Sequence, residues 1–384
     1  MELFIGNSLL LLFVIIEILI LYFLKKEPIP WKEITINLNS GHILLWVFRG
    51  LEVSIYYYVF KYFSLNWVSS FPIWTKWLLA FILWDFCFYW LHRLHHFFKV
   101  LWGVHSVHHE GEHFSLSLGI RNSWYSSITS IPFFTIMALI GIPVDIFVVV
   151  SSIHYFIQFY NHNHLVKKSG WLEYVMVTPS HHRVHHGKNQ PYFNKNFSGT
   201  FVIWDKIFNT FQEELDDQIV IFGVDNINTS YNPVVVNNTP FIKLFSNKYL
   251  NQTKSKNIEI NISNFILVSG ALLLFILFVF YIYFETQFKD QRTLVLFTMI
   301  FLGTIGNGLL SDGNKYGVLV WSISAVAIPI ILVFYFSPNI LLFRVLLIIS
   351  VIHGLLTLTI AIKAKIKQKI IAEKKVTGFL LENE

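Results

Sequence analysis

Asp85-Phe86-Cys87-Phe88-Tyr89-Trp90-Leu91-His92-Arg93-Leu94-His95-His96 is the stretch that decides how the chain is read. It begins as an apolar run with one carboxylate and ends in three imidazoles, so one helix carries histidines to the edge of an apolar layer. Of the 16 histidines, only His42 and His353 fall outside residues 85–186. Two more clusters repeat the pattern, His105-Ser106-Val107-His108-His109 and His182-Arg183-Val184-His185-His186. Residues three and four apart share a helical face, so each cluster aims its rings at one point. Neutral imidazole is the commonest metal ligand among side chains. The clusters offer more nitrogens than the roughly four that one tetrahedral ion takes, and two ions are the simpler account. The bland alternative, a scatter of core and surface histidines, leaves the repeated spacing unexplained.

Around this stretch the chain is 54% hydrophobic and only 14% charged, where a soluble domain carries roughly 25% charged residues. Composition therefore predicts an all-α, polytopic membrane protein. Cys87 is the single cysteine, which excludes an internal disulfide and a multi-thiolate zinc site. The net charge of +6 needs no nucleic-acid partner. Much of it lies in Lys363, Lys365, Lys367, Lys369, Lys374 and Lys375 after an apolar span, a pattern that anchors a cytosolic tail against anionic lipid.

Leu9–Leu24 reads as an uncleaved first span, apolar except for Glu17, with Lys25-Lys26 placing its end in the cytosol. Ile43–Phe60 is a second span whose Arg49 and Glu52 are spaced to neutralise each other. Residues 1–72 thus form an N-terminal membrane region. Trp77–Leu91 continues into the first cluster as one helix. Trp124–Pro143 and Val144–Tyr160 form a hairpin that dips into the bilayer and returns, broken at Gly141-Ile142-Pro143. Thr178-Pro179 is spaced as an N-cap with proline at the first helical position. The amphipathic run Gly199–Phe208 suits the membrane interface. Residues 73–215 make a catalytic domain, and 216–262 an extended connector rich in Asn, Thr and Ser. Four spans follow near 264–284, 293–310, 317–336 and 339–362, with loops carrying Asp290, Arg292, Asp312, Lys315 and Ser337-Pro338. Residues 263–362 are a C-terminal membrane region and 363–384 the basic tail. This order puts the tail and all three clusters on the cytosolic side. Gly303, Gly306 and Gly308 lie in an apolar span and read as helix packing.

The clusters, placed on such a scaffold, resemble the fatty acid hydroxylase/sterol desaturase superfamily over about residues 80–215. Several details are similar to its alkylglycerol monooxygenase branch. These are Asp85-Phe86 with Tyr89-Trp90 and His92-Arg93; His108-His109 followed by Glu112, Leu116-Ser117 and Arg121-Asn122-Ser123; and Gln158-Phe159 before His162. Thr178-Pro179-Ser180-His181-His182-Arg183-Val184-His185-His186-Gly187 is the most specific match. Lys195-Asn196, Gly199-Thr200, Ile203–Phe208, Gly223 and Ile227-Asn228-Thr229 complete it. His113, Ser115 and Asn122 depart from the branch pattern, which loosens the inference to substrate.

The expected metal ligands are His92, His96, His105, His108, His109, His182, His185 and His186, with His162 added by the resemblance. His95 lies off the His92/His96 face, and His113, His154, His164 and His181 are expected outside the ligand set, His181 nearest to it. Metal-bound imidazoles pass their other N–H to a carboxylate or carbonyl. Asp85, about two turns before His92, is spaced for that role, against a plain helix-rim charge. Glu112 is expected to serve the metal or the reductant, against a solvated loop acid. Arg121 and Arg183 are candidates for an anionic or polar group, against snorkelling, and Tyr89 is a substrate-contact candidate, against a belt aromatic.

The resemblance implies two iron ions, O2 as co-substrate, and hydroxylation of a lipid C–H bond. In the closer branch this cleaves an alkylglycerol ether to a fatty aldehyde and a glycerol derivative, with tetrahydrobiopterin as reductant. No strand-preceded G-x-G-x-x-G is present, so electrons come from an external donor. A sterol, acyl-lipid or carotenoid hydroxylase or desaturase is the alternative within the superfamily. Outside it stand a zinc-dependent membrane hydrolase, for which H-E-x-x-H is lacking, and a bis-histidine haem carrier, which leaves most clusters unused. The unextended, Asn-, Ile- and Lys-rich chain suggests a bacterial inner membrane.

Overall fold

Long apolar segments must satisfy their own backbone N–H and C=O groups, and a helix does so within one segment. The computed structural model accordingly consists of helices and connections. It describes residues 2–225, 230–245, 260–285, 291–336 and 340–381. Among these, the only strand-like pairing is the single bridge between Met176 and Phe201. Among the described residues, six helices are long and apolar enough to cross a membrane: Phe4–Lys25, Trp31–Phe63, Asn264–Glu285, Gln291–Ser311, Tyr316–Phe334 and Leu341–Ile366. The chain is a multi-pass membrane protein.

Helix α1 (Glu2–Leu19) runs on through a wider turn to Lys25. The second span starts earlier than its sequence signal. It is α2 (Trp31–Leu38) followed by α3 (His42–Phe63), broken at Asn39-Ser40-Gly41. Gly41 adopts φ +94°, and a Cβ there would lie 1.8 Å from Nε1 of Trp124. That indole N–H donates to the Ser40 carbonyl at 2.8 Å. The break turns α2 against the later membrane helices and lets Asn37 donate to Ser117 (3.0 Å).

Helix α4 (Ile73–Phe97) carries the apolar run and the first histidine cluster without interruption, and α5 (Lys99–His109) carries the second. After the short α6 (Leu116–Gly119), α7 (Ser126–Ile140) and α8 (Val144–Tyr160) form the hairpin, turning at Gly141 with φ +105°. Trp84, fully buried, stacks on Phe134 and His154, while Tyr56 lies flat on Phe147 at 4.0 Å. Arg49 and Glu52 pair at 2.5 Å, with Ser151 on the guanidinium and Ser130 on the carboxylate. An apolar layer tolerates such charges only when they are paired and hydrogen-bonded.

The polar half holds α9 (Pro179–His186) and α10 (Ile203–Ile207). Thr178 occupies the N-cap position, yet its hydroxyl lies on Glu173 and Ser180 rather than capping the backbone. The run Gly199–Phe208 is helical only in part. Only α10 is helical, and Thr200 and Asp205 are buried with Ile203 and Ile207 left exposed. The connector is not extended throughout either. Helix α11 (Pro233–Phe245) interrupts it, started by Asn232, whose side chain accepts the Val234 N–H at 2.9 Å.

Helices α12 (Asn264–Glu285), α13 (Gln291–Ser311), α14 (Tyr316–Ser322), α15 (Ile328–Phe336) and α16 (Leu341–Leu381) form the C-terminal bundle. Close packing explains its glycines: a Cβ on Gly306 would sit 2.7 Å from the Trp321 backbone nitrogen. The backbone of the basic tail continues α16 rather than leaving the helix at residue 362. Ile227-Asn228-Thr229, Asp290 and Ser337-Pro338 lie outside the described residues, as do the side chains of Lys367, Lys369, Lys374 and Lys375.

Gly41→Ala meets both a steric and a dihedral obstacle, so it should cost about 1–3 kcal/mol, the usual range for overpacking. Gly50→Ala, whose Cβ meets nothing within 4 Å, should leave stability unchanged. Thermal unfolding of the detergent-solubilised protein, followed by tryptophan fluorescence, distinguishes the two.

Candidate metal centre

The clusters on α4, α5 and α9, with His162 just past the end of α8, converge on one buried region. Their rings sort into two groups whose ligand atoms lie within 4.8 Å of one another: His92, His96, His105, His109 and His185, and His108, His162, His182 and His186. All the expected ligands fall in these groups and no others do. The groups are neighbours, because His109 of the first stacks on His186 of the second with centroids 4.4 Å apart. Neither contains a carboxylate.

Second-nitrogen contacts fix the tautomers. His92 Nδ1 faces the Phe197 carbonyl at 2.8 Å, and His185 Nδ1 faces that of Lys195 at 3.0 Å. His108 Nδ1 faces the Arg121 carbonyl at 2.9 Å, and His162 Nδ1 that of Gln158 at 2.8 Å. A carbonyl only accepts, so each Nδ1 carries the proton and each Nε2 is left with a bare lone pair. Yet Nε2 of His108 lies 3.0 Å from Nε2 of His162, with no proton between them to share. In the other group His92 Nε2 lies 2.8 Å from His105 Nε2, and His109 Nε2 lies 3.0 Å from both His105 and His185 Nε2. The second group closes with His162–His182 at 3.0 Å and His182–His186 at 3.2 Å. His96 Nε2 is buried with no protein partner.

Lone pairs gathered at such spacing repel unless a cation lies among them. Nitrogens about 3 Å apart match ligands at roughly 2.0–2.1 Å from one ion. The residues therefore fit a metal in each group. Burial pushes all nine imidazoles below their ordinary pKa, His108 to about 4, with neighbouring rings adding to the shift for most of them. They stay neutral at pH 7, as ligands must.

The remaining candidates are placed elsewhere. Asp85 does not touch His92. Its carboxylate accepts the Thr200 and Phe201 N–H groups (2.8 and 3.0 Å) and the Trp204 indole (2.9 Å). It thereby ties α4 to the loop that holds His92 by a carbonyl. Glu112 is exposed and in neither group. Arg121 pairs with buried Glu110 at 2.6 Å, and its carbonyl holds His108. Arg183 is spent on Glu214 and the Val166 and Lys167 carbonyls. Tyr89 is buried against Thr210, with Arg93 donating to its hydroxyl. His95 bonds Thr129, His113 pairs with Glu33, His154 bonds Thr200, His164 meets Glu27, and His181 lies near Thr178 and Phe211.

Three supports have no role assigned from the sequence, although Lys195-Asn196 and Asp205 fall within the matched motifs. The loop Asn194–Phe197 offers an amide oxygen to His96 and carbonyls to His185 and His92. Asn196 pins it, donating to the His181 and Gln212 carbonyls and accepting the Gln212 N–H. Asp205 accepts the N–H groups of Phe197 and Ser198.

Fold and site together define a helical membrane protein with a buried, histidine-lined site, and residues 77–210 match the model of the fatty acid hydroxylase family. Among curated relatives, alkylglycerol monooxygenase of Homo sapiens is 34% identical over 239 residues, 60% of this chain and 52% of that protein. Alkylglycerol monooxygenase of Danio rerio is 41% identical over 179 residues, 46% of this chain and 39% of that protein. The ornithine lipid hydroxylase OlsE of Rhizobium tropici is 29% identical over 156 residues, 39% of this chain and 46% of that protein. The chain spans about half the length, or less, of these curated relatives. No solved structure matches it.

Neighbouring histidines on α4 give a sharp check of the grouping. His96→Ala should lower bound metal measurably, while His95→Ala, which loses a Thr129 bond and a stacking contact with His105 but no nitrogen of either group, should retain the full amount. Metal analysis of the purified variants after identical loading reads the difference.

Proposed function

We propose that the protein is a membrane di-iron monooxygenase that hydroxylates a lipid C–H bond, with an alkylglycerol as the substrate. The observation that carries this reading is the pair of adjacent, carboxylate-free imidazole groups beside helices of membrane length. Imidazole sets suit iron, copper, nickel and zinc, and the relatives named as monooxygenases and a hydroxylase favour the redox-active choice. The metal ligands are His92, His96, His105, His109 and His185 for one ion, and His108, His162, His182 and His186 for the other.

Iron bound there would supply the activation of O2 and the abstraction of a hydrogen atom. The chain contributes the arrangement. Backbone carbonyls at Arg121, Gln158, Lys195 and Phe197 hold the Nδ1 protons, fixing each Nε2 toward the ion and making it a better donor. Burial keeps water and competing protons away from the rings. With an alkylglycerol, one oxygen atom enters the C–H bond beside the ether oxygen and the other leaves as water. Two electrons and two protons come from a tetrahydropterin. The resulting hemiacetal loses its glycerol oxygen as an alcohol, leaving a fatty aldehyde. We place the site at the cytosolic face, supported by Lys25-Lys26 at the end of the first span, where a soluble reductant has access.

A second reading keeps the chemistry and changes the lipid to an acyl, amino-acid-linked or sterol substrate. The ornithine lipid hydroxylase relative favours it, as do the departures at His113, Ser115 and Asn122. A zinc hydrolase lacks support, since no carboxylate joins either group. Iron-loaded protein given O2, an alkylglycerol and a tetrahydropterin should release fatty aldehyde, and omission of the pterin should abolish it. Hydroxylation of a sterol or acyl lipid with a ferredoxin-type donor, and none of the alkylglycerol, would overturn the substrate and reductant named here.

A further inference from the structure

Glu17 is the lone acid in the apolar run of α1, far in sequence from the domain that carries the histidines. An acid in a membrane helix is costly and calls for a reason. Its side chain is buried, 2% exposed, and both oxygens are engaged across the fold. Oε2 accepts the backbone N–H of Leu116 at 2.7 Å, and Oε1 accepts that of His164 at 2.9 Å.

Those two amides bracket one ring. Leu116 opens α6, and three residues later Gly119 presses on His162 so closely that a Cβ would lie 3.0 Å from the ring's Cγ and Nδ1. His164 stands two residues beyond His162 in the chain. Around the clamp, Leu11 and Val14 of α1 pack with Leu116, Ile120 and Phe159.

We propose that Glu17 is a positioning residue for the four-histidine group: a carboxylate from the first membrane helix that holds the two chain segments flanking His162, one of which presses Gly119 against its ring. This rests on that group binding metal. A carboxylate suits the task because it offers two acceptors and no donor. In Glu17→Gln one acceptor becomes an NH2 group facing a backbone N–H, so one of the two segments is released with almost no change in volume. The five-histidine group has no contact with this clamp and should be unaffected.

The test is cobalt(II) titration of the metal-free, full-length protein in detergent, read by visible absorption, with Glu17→Gln and Glu17→Ala beside wild type. A second readout is carbethoxylation of His162 in the metal-free proteins, mapped by mass spectrometry, with exposed His113 as the labelling standard. The expected result is one site filled as in wild type and the other weakened roughly tenfold to a hundredfold, the usual effect of losing an outer-shell partner. His162 should be labelled in the variants and protected in wild type. Wild-type affinity at both sites with His162 still protected would overturn the proposal, as would equal loosening of both groups. Wild type that binds no cobalt would sink the metal reading itself. The labelling of His162 would then decide the clamp alone.

Discussion

Lone pairs of neutral imidazoles turned toward one another, with their protons committed elsewhere, are the constraint on which this structure depends. At His108 and His162 both Nδ1 protons are donated to carbonyls, leaving two Nε2 atoms 3.0 Å apart with nothing to bond them. Burial makes protonation costly, so the rings cannot resolve the conflict by taking up charge. A cation resolves it. The surrounding fold makes sense as the apparatus that keeps those nitrogens facing inward.

The carboxylates around the site belong to that apparatus rather than to either imidazole group. Asp85 ties α4 to Thr200, Phe201 and Trp204, and Asp205 holds Phe197 and Ser198. Glu110 pairs with Arg121, and Glu33 takes both the backbone N–H and the ring of His113. Each buried acid that fixes a loop accepts several N–H groups, which offsets the cost of removing it from water. The aromatic core around Trp84 and the hairpin behind it supply a rigid wall against which those loops are registered. The membrane helices are thus part of the site's construction, since α2 and α1 both send acids into the loops beside the second cluster.

The two imidazole groups are legible in the sequence because helical periodicity acts on them directly: H-x3-H and H-x2-H-H spacings force rings onto a common face. His162, standing alone, was reached only through resemblance, since nothing in its spacing links it to α5 or α9. The supports were harder to read. His92, His108 and His185 are oriented by backbone carbonyls, which every residue possesses, so no side-chain pattern marks Phe197, Arg121 or Lys195. Helical spacing puts Asp85 in line with His92, while its carboxylate turns to a loop more than a hundred positions away. Glu112 and Glu110 differ by two residues, and only burial separates the exposed acid from the one paired with Arg121. Helix α11 escaped notice because Asn and Thr read as loop, although Asn232 and Pro233 supply a start signal. The membrane spans were plain throughout, apart from the break at Gly41, whose cause is an indole eighty residues on.

Anaerobic titration of the metal-free protein with ferrous iron, followed by Mössbauer and X-ray absorption spectroscopy, tests the central claim most directly. The account predicts saturation at two ions per chain, a first shell of light atoms with the outer scattering of imidazole, and magnetic coupling between the ions. A single ion per chain, or iron without imidazole scattering, would contradict it.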